Sequence, residues 1–180
     1  VEHLATRLFQ QVRRLPAASK ILKPHRRAAD LLSAAAILHD IGVLVGYARH
    51  HKHSRDIILS STIPGFSRRE ILILANLARY HRRVGPSPSH RLFAALSDAE
   101  QSLVRLLAGI LRVADGLDRS HAAFVRDVRL TRDKRTLILD PLIAPASTDA
   151  ARAERRAAQR KADVLESALD LRVRVQPSTR

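Results

Sequence analysis

Residues 34–47 read AAAILHDIGVLVGY. Five apolar residues, Ala34 to Leu38, run directly into His39-Asp40, and Gly42 then breaks the pattern. Ala and Leu cost little entropy in a helix, so the stretch reads as the end of an apolar helix spanning roughly residues 26–39. Its terminus presents a neutral nitrogen donor beside a hard anionic one. A lone His-Asp pair carries little weight, but further ligand-type residues sit in helical contexts elsewhere in the chain: His3, His53, His81 and Asp115.

Upstream, Leu4, Leu8, Phe9 and Val12 recur with helical spacing over 1–14, and Pro16 marks the end. Downstream, 53–61 reads as a short helix stopped by IPGF at 63–66, and Ser67 caps a helix over about 68–82. GPSPSH at 85–90 is a loop. Ser97 with Glu100 forms a capping box that opens a long apolar helix to about residue 118. The character then changes. FVRDVRLTRDKRTLILDPLI alternates with period two around an RDK turn and reads as a β-hairpin. A charged, Ala-rich helix from Ser147 to about Ala168 and a closing strand in LRVRVQP complete the chain. The expected fold is mostly α (α+β): a bundle of five or six helices over 1–123, then a β-β-α-β appendage over 124–180.

Composition narrows the chemistry. Of 180 residues, 46% are hydrophobic but only 3% aromatic, so a core is affordable and must be built of Ala, Leu, Ile and Val. There is no Cys, so any metal must be held by imidazole and carboxylate. Apolar runs fall far short of the ~20 residues of a membrane span, and no signal peptide opens the chain, so a cytoplasmic protein without a membrane partner is expected. The chain lacks Met and begins at Val1, two residues before a candidate ligand, which suggests a domain whose natural start lies upstream. Thirty-two basic against 17 acidic residues give a net charge of +15, which suits a polyanion such as polyphosphate or a phosphorylated nucleotide. An arginine-rich solvated surface would produce the same balance. The scarcity of aromatics argues against a nucleic-acid partner read by base stacking.

Divalent ions that activate water for phosphoryl chemistry suit a mixed His/carboxylate shell, and a helical bundle assembles such a shell from several helices facing one cavity. His3 would come from the first helix, His39 and Asp40 from the second, His53 and His81 from the next two, and Asp115 from the long one. Asp115 lies on an apolar face with Leu111, Ala114 and Leu117, where an unpartnered carboxylate would be costly. His50 and His51 stay open as alternatives to His53 or as phosphate contacts. His25, His90 and His121 read as surface residues. Arg79, Arg82, Arg83 and Arg119 flank the candidate ligands closely enough to clamp phosphate oxygens, or else line a solvated face.

These stretches resemble the HD superfamily of metal-dependent phosphohydrolases and, more closely, the C-terminal HD-type domain of the exopolyphosphatase/guanosine pentaphosphate phosphatase family. The resemblance runs through VEHLATRLF (1–9), AAILHDIG (35–42), HHKHSRDIIL (50–59), PGFSRREILILANLARYHRR (64–83) and RVADGLDRSH (112–121), and covers nearly the whole chain. It implies that His3, His39, Asp40 and Asp115 match a four-ligand signature. His53 and His81 match the additional histidines of two-metal enzymes, with Asp40 as the bridging and catalytic carboxylate. It also implies one or two ions of the Mn, Mg or Fe type and an upstream actin-like phosphatase domain. One departure is Val43, where HD enzymes often carry Lys. The expected activity is hydrolysis of a nucleotide-like or polyphosphate-like ester or anhydride. The alternative is a non-catalytic domain that grips polyphosphate and forms a homodimer.

Overall fold

The structure, a computed structural model, describes residues 1–143 and 148–176. Its centre is α7 (Asp98–Leu117), whose residues from Leu103 through Leu117 are buried save Arg105. On one side pack α1 (Glu2–Val12), α3 (Ala28–Leu38) and α5 (Arg68–Tyr80), with α2 (Pro16–Leu22) against its N-terminal half. Leu4, Leu8, Phe9 and Val12 form the buried stripe of α1. Pro16 opens α2 at its first helical position as well as closing the segment before it, because a missing N–H costs nothing there.

Both predicted capping boxes are present. Ser67 accepts from the Glu70 N–H at the start of α5, and Ser97 does the same for Glu100 at the start of α7, each Glu reaching back to its cap's backbone N–H. Arg69 joins the two helix starts, its Nε donating to Glu100 Oε1 at 2.6 Å.

The turn that follows α3 is a 3-10 turn, Ile41–Leu44, and it lies directly on α4 (His50–Ser60). Gly42 makes this approach possible: a Cβ there would fall 2.3 Å from His50 O and 2.3 Å from Ser54 N. Its N–H donates to Ser54 Oγ at 2.9 Å. Helix α4 begins at His50, three residues before the predicted start, because Arg49 adopts a left-handed conformation (φ 60°) and sets the register from there. A one-turn helix, α6 (Arg91–Ala94), follows α5.

Strands β1 (Val125–Asp133) and β2 (Thr136–Ile143) form the predicted antiparallel hairpin, closed by Lys134-Arg135 with Lys134 at φ 50°. The predicted single helix after it is two, α8 (Thr148–Arg160) and α9 (Asp163–Leu169), broken at Lys161-Ala162; the expected start at Ser147 lies outside the described residues. This crossover lets β3 (Arg172–Val175) pair parallel to β2, giving the order β1-β2-β3. Both helices lie close on α7, where a Cβ on Gly116 would come 2.5 Å from Ala158 Cα. Val128, Leu139, Leu165 and Val173 share one core with Leu8, Leu74 and Leu107.

The two outer strands of the sheet are each met by a glutamine. Gln11 of α1 donates to Val128 O and accepts from Leu130 N–H, both at 2.8 Å. Gln159 of α8 donates to Val173 O at 2.9 Å and accepts from Val175 N–H at 2.8 Å. Among the described residues no helix is long and apolar enough to cross a membrane.

Candidate metal centre

His39, His50 and His81 gather around Asp40. His39 caps the C-terminus of α3, His81 follows the last turn of α5, and His50 opens α4. Asp40 Oδ1 lies 3.1 Å from His50 Nε2 and 3.3 Å from His81 Nε2, and those two nitrogens are 3.3 Å apart. Its other oxygen, Oδ2, lies 3.3 Å from His39 Nε2 and 4.0 Å from His121 Nε2. His39, His50 and His81 are buried, while Asp40 is partly open to solvent.

Each of the three buried imidazoles is held in the same way. Nδ1 of His39, His50 and His81 contacts the carbonyl three residues earlier: Ala36 O at 2.8 Å, Tyr47 O at 3.0 Å and Ala78 O at 2.8 Å. A carbonyl can only accept, so Nδ1 carries the hydrogen, and in the neutral ring Nε2 is a bare lone pair. All three lone pairs therefore face a carboxylate. His39 Nε2 and Asp40 Oδ1 are buried without a hydrogen-bond partner. Acceptors crowded against an acceptor are unfavourable unless a cation or a proton lies between them, and this donor set of nitrogen and carboxylate oxygen is the one a divalent ion takes. Backbone carbonyls behind the imidazoles are also the usual device for orienting metal-bound histidines.

The electrostatics differ from one group to the next. Burial, the largest influence on Asp40, works to raise its pKa, but His39, His81 and His50 together hold it well below the usual carboxylate range. His39 is also opposed by burial, yet the Asp40 and Asp115 charges leave it raised. His81 is pushed well below its ordinary value, first by burial and then by His39. His51, buried behind the cluster, is pushed down to about 4 by burial and by Arg79 and Arg82.

The other predicted ligands are placed differently. His3 is exposed, and its Nε2 donates to Arg126 O of β1 at 3.1 Å. His53 is half-buried on α4, beside Gly42, and is not one of the side chains gathered at Asp40. Asp115 is buried on α7, and Lys161 Nζ donates to its Oδ2. Among the described residues, Asp40, His50 and His81 are the group whose ligand atoms converge within 4.8 Å. His50 was legible only as one of a run of three histidines. His121 had no local signal, because it reaches Asp40 from the loop after α7 through a left-handed backbone (φ 56°).

The four arginines also differ. Arg82 Nη1 lies 3.2 Å from both ring nitrogens of His50. Arg79 points the other way, into a cavity of about 280 Å³ shared with Lys52, Arg55 and Arg91, where its Nη1 is buried without a partner. The Arg83 side chain is exposed and its carbonyl accepts from Arg112, while Arg119 is exposed and its backbone N–H donates to Glu154.

The chain belongs to the Ppx/GppA phosphatase family: the family model "Ppx/GppA phosphatase, domain III" matches residues 1–141. It is similar to the guanosine-5'-triphosphate,3'-diphosphate pyrophosphatase of Pseudoalteromonas translucida (strain TAC 125), with 39% identity over 77 residues, 43% of this chain and 16% of that protein. It is also similar to the protein of the same name from Vibrio vulnificus (strain YJ016), with 29% identity over 143 residues, 78% of this chain and 27% of that protein. The chain thus spans about a quarter or less of the length of these curated relatives.

Proposed function

We propose that this domain is an HD-type metal centre and acts as a metal-dependent phosphohydrolase on a nucleotide-like or polyphosphate-like ester or anhydride. The observation that carries the reading is the set of Nε2 atoms of His39, His50 and His81 turned onto the Asp40 carboxylate, each locked by an Nδ1–H bond to a backbone carbonyl. Bound there, a divalent ion of the Mn, Mg or Fe type would lower the pKa of a water and neutralise charge on phosphate oxygens. Asp40, kept ionised by its neighbours, supplies the negative charge on which that binding turns. Arg82, beside His50, would hold a phosphate oxygen at the rim. The partly open face of Asp40 leaves room for a substrate to approach.

The test is the metal content of purified protein, for wild type and Asp40→Ala, followed by a screen of phosphate esters and anhydrides. One or two ions per chain, lost in the variant together with turnover, would support the reading. No metal after soaking in manganese would overturn it.

A second reading is favoured by a separate observation. The cavity of Lys52, Arg55, Arg79 and Arg91, in a chain of net charge +15, suits a polyanion-binding role without turnover. Polyphosphate binding that is salt-sensitive but survives both chelation and Asp40→Ala would point to it.

A further inference from the structure

Two residues of α-helix carry a side chain about 200° round the axis. Lys52 stands two residues beyond His50 on α4, and Arg79 two residues before His81 at the end of α5, so both lie on the far side of this helix pair from Asp40. There they meet in the cavity of about 280 Å³, whose wall also includes Arg55 from α4, Asn76 from α5 and Arg91 from α6. No carboxylate lines it. Arg55 is neutralised by exposed Asp56, its Nε donating to Oδ1 at 2.8 Å. Lys52, Arg79 and Arg91 are not: among the described residues no carboxylate pairs with them, and Nη1 of Arg79 is buried with no hydrogen-bond partner.

The walls are braced. Asn76 Nδ2 donates to Leu72 O at 2.9 Å and to Leu92 O at 3.3 Å, which ties α5 to α6. The Tyr80 hydroxyl meets His90 Nδ1 at 2.8 Å, and its ring is covered by the stacked ring of His90 and packed at right angles against Phe93. The space between the cations is thus framed by fixed elements.

We infer that this cavity is a seat for one tetrahedral phosphate dianion, either free orthophosphate or the terminal group of a phosphate chain, held by Lys52, Arg79 and Arg91. The inference deepens the second reading above, on which it rests, by giving a discrete site to what is there a general attraction of charge. Three uncompensated cations around one space repel one another, and a buried guanidinium N–H without an acceptor is costly. A dianion relieves both, whereas a single carboxylate would leave two of the three charges unmatched. A nucleoside does not suit the space. Its volume falls just below the ~300–1,000 Å³ of sites for drug-sized ligands, and the buried Tyr80 ring leaves no phenol face for a base to stack on.

The experiment is titration calorimetry at low ionic strength, on protein freed of divalent ions with a chelating resin, using orthophosphate and then tripolyphosphate as probes. Expected is one anion per chain in wild type and in Asp40→Ala. Arg79→Gln should weaken binding about ten-fold or more, as loss of a charge-assisted hydrogen bond does. The charge-matched control Arg14→Gln, exposed beyond the end of α1, should leave it unchanged. Tripolyphosphate that displaces orthophosphate assigns the seat to a chain end, and tripolyphosphate that fails to displace it assigns the seat to free phosphate. Equal weakening by Arg79→Gln and Arg14→Gln, or no saturable binding of either probe, would overturn the inference. Salt-sensitive binding of long-chain polyphosphate would then still leave the second reading standing, and its absence would remove both. Binding lost in Asp40→Ala would also overturn the inference, by placing the phosphate at the metal centre. Should Arg79→Gln fail to fold by circular dichroism, Lys52→Gln/Arg91→Gln carries the same expectation.

Discussion

His50 and His81 come from different helices, yet their rings stack with centroids 5.3 Å apart and planes inclined by 13°, and their Nε2 atoms meet at 3.3 Å. Two imidazoles with Nδ1–H tied to the backbone cannot both be content at that separation, since each offers the other a lone pair. With Asp40 Oδ1 beside them, the two nitrogens form the cluster on which the proposed metal reading rests.

On the proposed metal reading, the histidine run on α4 contributes one ligand, His50. His50→Asn should weaken manganese binding by at least about ten-fold, since disturbing even outer partners of metal ligands costs 10–100-fold. His53→Asn should leave it unchanged. Titration calorimetry on the two variants checks this, and equal losses would place the ion elsewhere on α4.

Gly42→Ala should be damaging out of proportion to one methyl group. The added carbon would collide with the α4 backbone at His50 O and Ser54 N, which cannot move like a side-chain tip. Overpacking of this kind costs about 1–3 kcal/mol. At roughly 2–4 °C per kcal/mol for a chain of this size, the melting temperature should fall accordingly, and manganese binding should fall with it because Asp40 rides on the same turn.

Stability should decline as pH drops from neutral toward 4, and His51 should be one identifiable cause. Its folded pKa, about 4, lies below its ordinary value of 6.5. The unfolded chain therefore takes up a proton in that window that the folded protein refuses, so the contribution is whole above pH 6.5 and lost as pH falls toward 4. His51→Gln should flatten the fall of the urea midpoint between those values. An unchanged slope would show that His51 does not titrate as its burial and the arginines require.

The helix starts offer a check away from the centre. Ser97→Ala should cost about 1 kcal/mol by removing one side of the α7 capping box. Glu100→Ala should cost more in thermal denaturation, because that carboxylate both completes the box and receives Arg69 from the start of α5.

How much of this was readable in the residues depends on whether the cause was local. The capping boxes were legible because Ser and Glu three apart satisfy each other's backbone whatever surrounds them. So was the end of α3, where the chain runs out of helix formers at His39-Asp40-Ile41-Gly42. Pro16 was half-legible, since proline closes one helix and opens the next with equal ease. The choice of His50 over His53 was not legible: it hangs on Arg49 taking a left-handed backbone conformation, which no arginine advertises. The break at Lys161-Ala162 was also hidden, because Lys and Ala favour a helix, and the distant Arg112 donates to the Lys161 carbonyl there. Likewise, the carboxylate expected to need a partner, Asp115, found one 46 residues away on another element.

The glutamines at the sheet margins have a consequence of their own. An amide side chain that both donates to one strand residue and accepts from the next-but-one behaves like a single peptide unit of a fourth strand. Gln11 and Gln159 do this to opposite edges of the same three-stranded sheet. The hydrogen-bonding groups they occupy are those that another chain would need in order to add itself to the sheet, the commonest route from a stray hairpin to an aggregate. This arginine-rich domain thus guards both margins of its small sheet with two neutral residues.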